Sequence, residues 1–306
     1  MLRRSFLLLC ALSFCAASAQ AQVKFEFKMR ENSTTTSETT TKIEQNLKIA
    51  GMNQDSAIET RRKVKGTSGK RDGLGRLRVE EKPEEFYISI NVGGAEYIFD
   101  SKNPDAKGTS PQEAARPIHK AISQQSMVFV HDKDNSLEEV EFDQQFLNTL
   151  DAAVQQQVKG QLNPESIKKQ VKEHASQIPT NPVSKGDVWE HTSSVNLGAG
   201  QVMTFNSKYK YVGTEEKDGK TLDKITYEVT SVSFALEDSP LPLQVKGSNL
   251  KADKSGGVLY FDREQGNLAE ESGKLHIVGT IAFEVNNNPL PAELDLTIES
   301  KVIRSK

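Results

Sequence analysis

The chain has 306 residues, 39 Lys and Arg against 42 Asp and Glu, a net charge of −3, and 36% hydrophobic residues. This balance excludes the broad basic excess that nucleic acids select, so no nucleic-acid partner is expected. Both cysteines, Cys10 and Cys15, sit near the N-terminus, so the rest of the chain has neither disulfide nor thiolate chemistry.

Arg3 and Arg4 precede an apolar run from Phe6 to Ala17, and Ala17-Ser18-Ala19 and Ala19-Gln20-Ala21 are small-x-small cleavage sites. This order predicts a secretory signal peptide over residues 1–21, whose apolar run is too short to span a bilayer. Leu9 and Phe14 precede the two cysteines, which argues against lipidation. The expected mature protein is exported, periplasmic or extracellular, and not integral to a membrane after cleavage. Its expected organisation is an N-terminal β-rich half over 22–142, a helical segment over 143–178 and a C-terminal β-rich half over 179–306.

Strand signals come first. Val23, Phe25, Phe27 and Met29 alternate with charges, the period of two that puts apolar and charged side chains on opposite faces. Ile43, Gln45, Leu47 and Ile49 continue the pattern; the Thr-rich stretch between reads as strand ends around a loose turn. Ile58–Lys65 is a polar strand. Phe86, Ile88, Ile90 and Val92 alternate, and Gly93-Gly94 turns the chain towards Tyr97 and Phe99.

The middle is helical. Pro111–Gln125 admits a short helix. From Asp143, Phe146, Leu150, Val154, Val158 and Leu162 share one helical stripe. Asn163-Pro164-Glu165 then supplies an N-cap, a proline at the first helical position and an acid in the first turn. The second helix carries Ile167, Val171 and Ala175 and stops near Pro179. Both stripes are expected to cover an apolar sheet face.

In the stretch Ile178–His191, two prolines force an extended path, Gly186-Asp187 turns, and Trp189, the only tryptophan, starts a strand. Its expected role is a large apolar anchor at the junction of helix and sheet. Alternation resumes in Met203–Tyr211, Ile225–Val229, Leu275–Val285 and Leu294–Val302. Two hairpins look alike, Val128–Glu139 and Val258–Glu271 aligned on Asp132 and Asp262, which admits either an internal repeat or the convergence that short turns impose.

Chemical motifs are sparse. Asp132–Ser136 lacks the glycine of a calcium loop, Ser166–Lys169 with Lys254-Ser255-Gly256 lacks the third element of a penicillin-recognising enzyme, and the five histidines form no metal-ligand pair. Neighbouring acids such as Glu270-Glu271 point to opposite faces of a strand. The expectation is no catalytic residue, no metal and no cofactor. The basic cluster Arg61, Arg62, Lys63, Lys65, Lys70, Arg71, Arg76 and Arg78 reads as a solvated face matched to acids, or as a contact for an anionic envelope component.

Pro182-Val183-Ser184-Lys185-Gly186-Asp187-Val188-Trp189 resembles a P-V-x-x-G-D-x-W signature of exported bacterial proteins classed as a domain of unknown function. Tyr209–Gly213, Gly219, Lys224-Ile225 and Gly257–Asp262 with Gly266 fit the same pattern. The resemblance implies no catalytic residues. The expected fold is α+β: long antiparallel β-meanders in two related halves, with central helices packed on a curved sheet. In outline this is similar to bacterial lipoprotein-carrier half-barrels. It implies a non-enzymatic envelope protein binding a lipid or other apolar or amphipathic ligand, with Phe25, Phe27, Trp189, Phe205 and Tyr209 as lining residues. A structural or protein-interaction module at the cell surface is the alternative.

Overall fold

The computed structural model describes residues 22–198, 201–236 and 244–306. The predicted signal peptide, residues 1–21, lies outside the described residues. Thirteen strands run in chain order: β1 (Thr34–Ile49), β2 (Met52–Ser68), β3 (Leu77–Val92), β4 (Ala95–Asp100), β5 (Met127–His131), β6 (Leu137–Phe142), β7 (Val188–Gly198), β8 (Gln201–Lys217), β9 (Lys220–Leu236), β10 (Gln244–Ala252), β11 (Gly256–Asp262), β12 (Asn267–Val285) and β13 (Asn288–Ser305). They form one sheet in the order β6-β5-β3-β2-β1-β13-β12-β11-β9-β8-β7, with β4 on β3 and β10 on β12. The described pairings are antiparallel.

The long strands are joined by two-residue turns with both central residues at positive φ: Ala50-Gly51, Gly93-Gly94, Asp218-Gly219 and Asn286-Asn287. Such turns match the right-handed twist of the strands they join. The Thr-rich stretch expected to hold a loose turn is instead continuous β1, since the real turns lie at either end and β-branched Thr suits the pleat. The order β1-β2-β3-β5-β6 on one side of β13 recurs on the other as β7-β8-β9-β11-β12.

The helices are α1 (Arg116–Gln124), α2 (Gln144–Asn148), α3 (Ala152–Gln161) and α4 (Pro164–Ser176). They correct the expected α+β class. The protein is a single thirteen-stranded antiparallel sheet with few helices, and central helices are not layered on it. Ala121, Leu147 and Val158 of α1, α2 and α3 bury chiefly against one another in a small satellite core. The main core is made by strands alone: Met203, Phe205, Val232 and Phe234 of β8 and β9 join Ile277, Ile281, Leu294 and Leu296 of β12 and β13. A sheet that buries its own inner face needs no helical layer.

The sheet is rolled. Eleven strands laid flat would span roughly 48 Å, whereas thirteen helical residues span about 20 Å. Yet α4 lies against β6, at one end of the order, and its C-terminal end is bonded to β7, at the other. The expected strand Val23–Arg30 is not a member of the sheet. It is an extended segment with a single bridge, Val23 to Val183, that closes one end of the roll. Its alternation still holds, with Val23 and Phe25 buried among Ile178, Tyr211, Ile225, Leu259 and Phe261.

Candidate functional site

Register places inward-facing residues in rows across the sheet, because residues directly opposite in an antiparallel pair share a face. Ile90, Ile58, Ile43, Ile298 and Leu275 form one row over β3-β2-β1-β13-β12. All five are half-buried, so this aliphatic stripe keeps accessible surface. The next inward row starts at the buried Ile88 of β3 and is small and polar beyond it: Thr60, Thr41, Ser300 and Gly273. It continues over Gly257 to Tyr227, Tyr209 and Trp189.

These aromatics form a stacked ladder, with ring centroids 5.8 Å apart for Trp189–Tyr209 and 5.3 Å for Tyr209–Tyr227. The Tyr227 ring then extends over Gly257 and Gly273, where a Cβ would collide with it. Burial, with the neighbouring Glu271 carboxylate, pushes the Tyr227 hydroxyl up to about 12.

The third row runs from Phe86 on β3 and carries two charges. Arg62 on β2, Thr39, Val302 and Glu271 on β12 lie in line. Arg304 sits two residues beyond Val302, and Glu81 lies further along β3, opposite Gly66. Desolvation lowers the pKa of both guanidiniums, and the carboxylates Glu81 and Glu271 oppose that effect. Desolvation raises Glu81 above the usual carboxylate range, against the pull of Arg62 and Arg304. Among the described residues neither arginine makes an ion pair within 4.0 Å. Among the described residues the two donate one side-chain hydrogen bond, from Arg304 Nη1 to the Leu268 carbonyl, at 3.0 Å. Glu271 Oε2 is buried and has no hydrogen-bond partner among the described residues. Its neighbour Glu270 faces the other way and is paired with Lys217 and Lys301, as strand alternation requires.

The C-terminal end of helix α4 reaches this row. Asn163 caps it by accepting from the backbone N–H groups of Glu165 and Ser166, as the sequence predicts. Near its end His174 holds Nε2 3.6 Å from Glu271 Oε2. Burial lowers the His174 pKa, and Glu271 partly offsets this. The neutral ring accepts at Nδ1 from Gln177 Nε2 (3.2 Å), and Gln177 Oε1 accepts from the Tyr209 hydroxyl (3.2 Å). Trp189 donates its indole N–H to the Gln177 carbonyl at 2.9 Å.

Four of the five lining residues named from the sequence come together: Phe25, Phe27, Trp189 and Tyr209 share the cluster that closes the roll. Phe25 packs edge-on against Phe261, with centroids 5.2 Å apart. Phe205 belongs to the separate strand-only core. A cavity of about 260 Å³ lies elsewhere, among Phe142, Leu147, Val158 and Leu162. The charged row was missed because Arg62, Glu81, Glu271 and Arg304 each read as surface charge; period two on β2 separated inward Arg62 from outward Arg61 and Lys63.

The rest of the basic cluster is largely partnered. Arg61 stacks on Tyr87 with its guanidinium carbon 4.0 Å from the ring centre. Lys63 pairs with Glu38, Arg76 with Asp72 and Arg78 with Glu141. Arg71 bonds the Gly75 and Asp132 carbonyls.

No curated protein matches the chain. Among solved structures it is similar to lipovitellin, described for its lipid–protein interactions, at 6% identity and a TM-score of 0.38 over 91% of this chain; it spans 26% of that one. It is similar to a putative exported protein with a YmcC-like fold from Bacteroides fragilis, at 8% identity and a TM-score of 0.19 over 90% of this chain and 98% of that one. An outer-membrane channel from Pseudomonas putida matches at 6% identity and a TM-score of 0.20 over 92% and 98%. Scores this low do not establish a shared fold. No described helix is long and apolar enough to cross a membrane, which leaves strands unaddressed. Over residues 76–222, which contain the Pro182–Trp189 signature, α4, His174 and Tyr209, the chain matches the family of unknown function DUF6263.

Proposed function

We propose that this is an exported, non-enzymatic protein of the cell envelope that holds an amphipathic molecule on the inner face of its rolled sheet. The observation that carries this reading is the placement of two groups on one face of the sheet, with a single small, polar row between them. One is aliphatic and half-exposed (Ile90, Ile58, Ile43, Ile298, Leu275); the other presents two guanidiniums with unused donors, Arg62 and Arg304. Apolar surface left accessible beside convergent polar groups is the usual make-up of a binding site. The apolar part of a ligand would lie along the aliphatic row and its polar end against the charged row, at the end of α4. The cluster Arg61–Arg78 supports an anionic envelope component less well, since most of its members already have partners.

The test is expression with residues 1–21 in place, purification of the exported fraction, and native mass spectrometry beside a denatured control. A discrete mass that leaves on denaturation supports the reading and gives the ligand class. Failure of the chain to leave the cytoplasm removes the export claim. A clean exported monomer removes the carrier claim and favours a structural or interaction module.

A further inference from the structure

We propose that the charged row selects a zwitterionic lipid head, with its phosphate against Arg62 and Arg304 and a primary ammonium against Glu271. This rests on the amphiphile reading above and deepens it.

Three observations carry it. First, the row is balanced. Arg62 and Arg304 share the concavity with Glu81 and Glu271, and each arginine feels one or both acids. An anionic head would bring a net negative charge into a partly desolvated site that already holds two carboxylates. A zwitterion enters without changing the charge.

Second, both signs have unfilled hydrogen-bonding capacity. A guanidinium has five N–H donors in a fixed fork that suits phosphate oxygens. Arg304 spends one, on the Leu268 carbonyl, and Arg62 donates no described side-chain bond. Glu271 Oε2 is a buried acceptor with no hydrogen-bond donor among the described residues; the His174 ring nitrogen, at 3.6 Å, is beyond hydrogen-bond reach. An ammonium carries three donors and would bond the Glu271 carboxylate through the part of its side chain that stays exposed, 23% of its surface.

Third, the placement fits one head group. Glu271 lies opposite Val302, so Arg304 is its diagonal neighbour on the adjacent strand. Such neighbours are about 7–8 Å apart, within reach of long side chains. The aliphatic row starts two inward positions along the same strands, at Leu275 and Ile298, where acyl chains would begin.

The full chain, stripped of lipid, is titrated with dihexanoyl phosphatidylethanolamine, phosphatidylglycerol and phosphatidylcholine below their micellar concentrations, and with free phosphoethanolamine. Calorimetry reads the affinity. The ethanolamine lipid is expected to bind about tenfold or more tighter than the glycerol lipid, roughly one lost charge-assisted hydrogen bond. It should also exceed the choline lipid, whose quaternary ammonium has no N–H to give Glu271. In Glu271→Gln this preference should collapse while glycerol-lipid binding is kept or improved. In Arg62→Gln with Arg304→Gln all three lipids should weaken.

Equal or tighter binding of the glycerol lipid by the unmodified chain overturns the zwitterion inference and leaves the amphiphile reading standing. Binding of free phosphoethanolamine as tight as its lipid overturns the lipid source. No binding of any lipid overturns the amphiphile reading itself. If a variant does not fold by circular dichroism, the head-group ranking of the unmodified chain still decides.

Discussion

Trp189 and Gln177 are joined by a single hydrogen bond, from the indole N–H to the backbone carbonyl, 2.9 Å long. It ties the chain leaving α4 to the first residues of β7. Trp189→Phe keeps the ring contact with Tyr209 and removes the donor, leaving the Gln177 carbonyl unpaired. The expected cost is about 1–2 kcal/mol. Thermal unfolding followed by circular dichroism should fall by a few degrees. Unchanged unfolding would show that the indole nitrogen contributes nothing.

Phe25 holds the extended N-terminal segment into the end of the roll. It is 4% exposed and meets Tyr211 and Phe261 edge-on, at 5.6 and 5.2 Å between centroids. Phe25→Ala should cost about 3–5 kcal/mol. The outward neighbour Lys24, paired only with Glu26 on the exposed face, is the control: Lys24→Ala should change stability by less than about 0.5 kcal/mol. Urea melts of both variants check the pair.

Gly257 and Gly273 leave room for the Tyr227 ring, and Gly257 also for the Ser272 carbonyl. A Cβ on Gly257 would run into the Ser272 carbonyl oxygen and stand 2.8 Å from Tyr227 Cε1. Gly257→Ala should therefore cost about 3 kcal/mol, the upper end for overpacking. On Gly273 the Cβ meets the Tyr227 hydroxyl, the tip of a side chain. Gly273→Ala should cost less, and Tyr227→Phe should relieve part of it. A double-mutant cycle for these two that comes out additive would remove the contact.

His119 makes stability depend on pH. Its Nδ1 shares a hydrogen bond of 2.7 Å with the Tyr97 hydroxyl. Burial lowers its pKa, and the Arg116 guanidinium lowers it further. The folded state therefore binds this proton less readily than the unfolded chain does. Stability from this residue is full above the ordinary histidine value of about 6.5 and is lost as pH falls below it. His131, His174 and His191 are lowered as well, mainly by burial, and act in the same direction. Denaturation midpoints should drop from pH 7 to pH 5, and His119→Phe should flatten that slope.

What the sequence made legible followed local rules. Period-two patterns located strands because alternation depends on two neighbouring residues. Asn163-Pro164 marked the start of α4 because capping is settled within three residues. The stripe from Phe146 to Leu162 read as one helix but is two: Asp151 accepts from the Val154 N–H and starts a new one, while Thr149 bonds back to the Phe146 carbonyl. Those polar caps compete with a continuous apolar stripe, and here the caps prevail. The charged row was not legible. Its alignment depends on β1 pairing with β13, and no local signal states which strands are neighbours.

That pairing also sets a schedule. Ile43 cannot meet Ile298 until the residues between them have been made, on the order of ten seconds or more at ordinary synthesis rates. Until then β1 can pair with β2 alone and offers an open edge of alternating Thr and aliphatic residues to any passing strand. β13 is thus the seam that joins the two sides of the sheet. Anything that shields β1 during that interval governs yield, and a chain cut short before β13 should be lost to aggregation and not merely weakened.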